Sequence, residues 1–107
     1  MRSALNDATT ALLRAIRGSF VSFAGFTLEE VRTRSWASVT FSGARHELAF
    51  RLDGEGADAA AAAFLEGLAV AEFELRGHVL ADIALVSEER SPGCARIRLE
   101  ALTVEDG

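Results

Sequence analysis

From Val31 to Phe41 every second residue belongs to one set: Val31, Thr33, Ser35, Ala37, Val39 and Phe41. A two-residue period of this kind marks a strand with one face on a core. The alternation resumes at His46 and runs through Leu48 and Phe50 towards Asp53, with Glu47, Ala49 and Arg51 on the opposite face. Gly43-Ala44 between the two runs suits a two-residue type II′ turn, which places glycine first. That turn predicts Ser42 opposite Arg45, Phe41 opposite His46, Val39 opposite Leu48 and Ala37 opposite Phe50. Few features constrain a fold more than two such runs, because a one-residue slip would turn every apolar side chain to the wrong face.

Helical periodicity flanks this hairpin. Ser3 can cap a helix carrying Leu5, Ala8, Ala11, Leu12, Ala15 and Ile16 on one stripe, with Arg14 and Arg17 near its end and Gly18 as its stop. A second, alanine-rich helix runs from Ala57 to about Ala69, with Ala61, Phe64, Leu65 and Leu68 as its buried side. Between the first helix and the hairpin, Thr27-Leu28-Glu29-Glu30 matches a capping box, with Phe26 and Val31 placed as a staple. It predicts at most one turn of helix before the strand begins.

After the second helix Ala71, Phe73 and Leu75 alternate. A third strand then spans Val79–Ser87, with Val79, Ala81, Ile83 and Leu85 inward. Residues 88–93 read as a polar loop around Pro92-Gly93. The last strand, Ala95–Val104, turns Ile97 and Leu99 inward and Arg96, Arg98 and Glu100 outward.

The order is therefore α-β-β-α-β-β in one domain spanning residues 1–107. Each helix has a single apolar stripe, so both need the same face of one sheet, which gives a two-layer α+β sandwich. A right-handed crossover makes strands two and three parallel. With strand four between them, the sheet is four-stranded and antiparallel in the order 3-4-2-1. This topology resembles a ferredoxin-like plait, circularly permuted so that its first strand stands at the chain's end.

Composition narrows the functional classes. The formal charge is −5, which disfavours nucleic acid because neutralising phosphates requires a basic face. All eleven basic residues are arginine. No apolar run approaches the ~20 residues of a membrane helix, and the polar N-terminal residues give no signal-peptide core. A lone cysteine, Cys94, suits a reducing compartment. These features together predict a cytoplasmic protein.

His46, Glu47, His78, Asp82 and Cys94 are the residues able to carry chemistry. A thiol nucleophile needs an imidazole within hydrogen-bond reach, yet Cys94 starts the last strand at the end remote from both histidines. The parities of His46 and His78 put them on opposite faces, and no zinc-like spacing occurs. Gly54-Glu55-Gly56 lacks the lysine of a phosphate-binding loop and reads as a turn. No cofactor or metal is expected, and the balance is against an enzyme.

The helix-free face offers more. It is expected to carry Trp36, Leu80, Val86, Leu102 and Val104 among its charges, an apolar content that suits a homodimer interface. Trp36, Arg51, Asp82 and Arg98 are the candidate binding residues there. Asp82 interrupts an apolar strand beside Arg98 and Glu100, which suits an ion pair. A small acidic or planar ligand at this face is the alternative, and an enzyme using Asp82 or His78 a third possibility.

Overall fold

The computed structural model describes residues 4–68, 75 and 77–105. Its elements are α1 (Ala4–Gly18), β1 (Phe26–Ala37), β2 (Ser42–Asp53), α2 (Ala57–Leu68), β3 (His78–Ser91) and β4 (Cys94–Glu105). The sheet order is β1-β2-β4-β3, and every neighbouring pair is antiparallel. Strands β2 and β3 therefore run parallel, as the crossover predicts. The expected Ser3 cap and the alternation at Ala71 and Phe73 lie outside the described residues. No helix among those described is long and apolar enough to cross a membrane.

Both helices cover one face. Leu12 and Ile16 of α1 and Ala57, Ala61 and Leu68 of α2 are buried in one cluster with Leu48, Phe50, Leu52, Ile97 and Leu99. Within it Phe50 meets the rings of Phe20, Phe26 and Phe64 at centroid distances of 5.4, 5.1 and 5.7 Å. Aromatic contacts of this kind add about 0.5–1.5 kcal/mol each beyond area burial. Phe20 arrives through successive turns after α1, closed by Phe20 N–H to the Arg17 carbonyl and Phe23 N–H to the Phe20 carbonyl. Those turns deliver the phenylalanine-rich segment 20–26 into the core.

The first hairpin differs from its sequence reading. Ala37 pairs with Ser42, Trp36 with Gly43 and Thr33 with His46, so the connection is Ser38–Phe41 and not Gly43-Ala44. Ser38 closes this loop: its N–H reaches the Phe41 carbonyl at 2.7 Å, and its Oγ accepts the Phe41 N–H at 3.0 Å. Gly43 is held in the strand because a β-carbon there would collide with the Thr103 carbonyl and with Trp36 Cζ2. The turn has moved four residues along the chain, and the register slips by an even number. Faces are therefore preserved: Val31 and Thr33, of the same parity, take the places opposite Leu48 and His46 expected for Val39 and Phe41. Val39 and Phe41 are lost to the core and stand exposed in the loop.

Three bulges explain the remaining differences. In β1 the register shifts between Leu28 and Glu30. The extra residue, Glu29, lets Phe26 and Leu28 share a face with Val31 and Thr33, so residues 27–30 extend the strand and form no helical turn. In β3 shifts fall between Leu80 and Asp82 and between Leu85 and Ser87. Leu80 consequently opposes Thr103 on the helix side and packs against the core, whereas Val79 opposes Val104 on the open side and is 51% exposed. The expected placement of these two residues is reversed. β3 also continues to Ser91 and turns at Pro92-Gly93, so residues 88–91 are strand and not loop. Gly93 has φ 72°, which fits a type II turn led by proline.

Candidate functional site

Five rows of residues cross the helix-free face, in ladder order β1-β2-β4-β3. They are Trp36–Gly43–Val104–Val79, Arg34–Arg45–Leu102–Asp82, Arg32–Glu47–Glu100–Ala84, Glu30–Ala49–Arg98–Ser87 and Thr27–Arg51–Arg96–Glu89. The first is apolar and the others are dominated by charge. The candidate residues are thus divided. Trp36 and Asp82 occupy adjacent rows, while Arg51 lies eight residues of β2 from the Trp36 row, roughly 26 Å at ~3.3 Å per residue.

The distant arginines already have partners. Arg98 reaches across β2 to Glu30 at 3.1 Å, and the pair roofs Ala49, which is only 8% exposed on this nominally open face. Arg51 donates to Glu29 at 3.0 Å and to Asp53, while Arg96 approaches Glu29 at 3.7 Å. Both glutamates are available because the β1 bulge turns Glu29 and Glu30 to one side. The Arg51 hydrogen bond holds the Asp53 carboxyl below its usual range, and the same bond raises the Arg51 guanidinium. Nearer Trp36 the situation differs. Asp82 opposes Leu102 and not Arg98, and neither Asp82 nor Arg34 makes an ion pair among the described residues.

On the helix side, the histidines share a face, contrary to their sequence parities. The bulge after Leu80 reverses the frame of β3, and His78 comes opposite Glu105 in line with Thr103. His46 is fully buried. Its Nδ1 is 3.2 Å from Thr33 Oγ1 and its Nε2 2.9 Å from Thr103 Oγ1, while Thr33 Oγ1 is 2.9 Å from Thr9 Oγ1 on α1. Thr103 donates its one hydroxyl proton to the Ala44 carbonyl at 3.4 Å. In the tautomer compatible with that bond, Thr103 accepts from His46 Nε2–H and Nδ1 accepts from Thr33. Burial, reinforced by the neighbouring His78, pushes the His46 imidazole below its ordinary pKa.

Beside this chain is a cleft of about 430 Å³, lined by His78, Thr103, Glu105, Ser42, Trp36 and small residues of α1 and β2. Ser42 Oγ donates to the Glu105 carboxylate there. Trp36 Nε1–H is buried without an acceptor among the described residues. Cys94 is remote: it opposes Asp53, whereas His46 opposes Ala101, seven residues or roughly 23 Å along β4. Desolvation, aided by Asp53, raises the Cys94 thiol above its usual range and so disfavours the nucleophilic thiolate. Among the described residues no three His, Cys, Asp or Glu side chains cluster as metal ligands would.

Sequence reading missed this threonine–histidine chain. The available signal was Thr33 and His46 at core parity on paired strands, where a polar side chain needs a buried partner. Compared with known proteins, the chain matches no protein-family model, no curated protein and no solved structure.

Proposed function

We propose that the chain is a small non-enzymatic interaction module that forms a homodimer through the open face of its sheet, without binding nucleic acid or membrane. The observation that carries this reading is the row Trp36–Gly43–Val104–Val79, backed by Leu102, which aligns apolar side chains of β1, β4 and β3 on the face opposite the helix-packed core, with the Trp36 ring also bordering the His78 cleft. Element order and strand order agree with a circularly permuted ferredoxin-like plait, a fold with one open sheet face. The lone, unpaired Cys94 suits the cytoplasm. Sedimentation equilibrium tests the reading. Dimer at tens of micromolar supports it, and Trp36→Ala should weaken that dimer; a wild-type monomer over this range overturns it.

A second reading is a small-ligand site in the cleft beside His78. It is favoured by the unpartnered Trp36 Nε1–H, which a ligand acceptor would satisfy, and by a volume in the range of small-molecule sites. A thermal-shift screen over carboxylates and nucleotides tests it, since binding to the native state raises the melting temperature. No shift across the panel removes this reading.

A further inference from the structure

Rows on an open sheet face can be compared with their own reversal. When two copies stack face to face about a two-fold axis parallel to the strands, β1 of one lies over β3 of the other and β2 lies over β4. Each row then meets itself backwards. Aligned sheets pack about 10 Å apart in this way, with their strands crossing at about 30°.

At the Trp36 end this operation brings complementary residues of the outer strands together. Trp36 falls over the partner's Val79, and Gly43, which has no side chain, falls under the partner's Val104. In the next row Arg34 meets the partner's Asp82, while Arg45, already paired with Glu100 of its own chain, lies over the partner's Leu102. Arg34 and Asp82 are both exposed and neither has an ion-pair partner within the chain among the described residues. Arg34 instead stands directly opposite Arg45 in the ladder, a like-charge pairing that destabilises an isolated sheet and that a carboxylate from outside would relieve.

The far end of the face behaves differently. There Arg51 would meet the partner's Arg96, and in the middle row Glu47 would meet the partner's Glu100. The crossing angle of stacked sheets lets that end splay apart while the Trp36 end closes. A two-fold axis across the strands at the middle of the face would set the apolar row against charge.

Resting on the self-association reading above, we infer that the partner is a second copy of this chain, docked about a two-fold axis parallel to the strands, with Arg34 of each copy paired to the partner's Asp82. The contact occurs twice by symmetry. It sets orientation more than affinity, because a wrongly placed like charge is what costs most.

Charge reversal tests the arrangement. R34D places two carboxylates at each contact, and D82R two guanidiniums; each variant should weaken the dimer by at least about tenfold. An equimolar mixture of R34D and D82R should form a heterodimer near wild-type affinity, and the double variant R34D/D82R should self-associate again. Sedimentation equilibrium measures all four, with circular dichroism confirming that the folds are unchanged. Single variants that associate like wild type, or a mixture that stays monomeric while wild type dimerises, overturn this docking and leave self-association standing. A monomeric wild type overturns both.

Discussion

His46 Nε2 and Thr103 Oγ1 lie 2.9 Å apart across β2 and β4, and neither residue is exposed to solvent. The contact ties two central strands to α1 through Thr33 and Thr9. Thr103→Val keeps the shape and removes the acceptor, so Nε2–H is buried unpaired at a cost of about 1–3 kcal/mol. Urea denaturation should show this loss, with Thr103→Ser closer to wild type. A valine variant as stable as wild type would mean that the imidazole does not depend on this hydroxyl.

The same histidine makes stability pH-dependent. Its folded-state pKa is depressed by burial and then by His78, whereas the unfolded chain titrates it near ~6.5. Above that pH both states are neutral at this site and the full stability is present. As pH falls through ~6.5 the unfolded state takes up a proton that the folded state does not, and stability declines until the lowered folded pKa is passed. The urea midpoint should therefore drop between about pH 7 and 5, with a smaller drop in His46→Leu. Equal slopes in the two proteins would assign the effect elsewhere.

Gly43 and Gly18 should respond oppositely to alanine. A β-carbon at Gly43 runs into the Thr103 carbonyl, whereas one at Gly18 meets nothing within 4 Å. Gly43→Ala should destabilise by about 1–3 kcal/mol through strand displacement. Gly18→Ala should stabilise by about 0.4–1 kcal/mol through the unfolded chain. Melting temperatures that move together for both variants would contradict the close approach of β2 and β4.

The Glu30–Arg98 pair is partly exposed, so its coupling should be modest. A double-mutant cycle with Glu30→Gln and Arg98→Met should give roughly 0.2–1 kcal/mol, shrinking in high salt. A coupling that ignores salt would indicate that the bridge over Ala49 acts by packing alone.

Much of the fold was written in periodicity. The helix-bearing face follows from where Leu48, Phe50, Ile97 and Leu99 fall in their alternations, because burial on one side fixes parity, and the strand order follows from the handedness of the crossover. Turns were less legible. Gly43-Ala44 has good hairpin chemistry, yet the decisive fact is the Thr103 carbonyl beside Gly43, from a strand some sixty residues away in sequence. Bulges erased parity where it mattered most, exchanging the faces of Val79 and Leu80 and bringing His78 round to the side of His46. One bulge did leave a trace: without it, Glu29 would share the core-facing parity of Val31. The arginines Arg51 and Arg98 were visible as residues, but their neutralisation by Glu29 and Glu30 depended on that same local insertion.

Where the bulges fall has one more consequence. All three lie on β1 and β3, the outer members of the sheet, and none on β2 or β4. An irregular margin presents its free amides and carbonyls out of step, a poor template for another strand. Copies of this chain are not readily joined edge to edge into a ribbon. A protein with two long outer strands is thereby steered away from fibres.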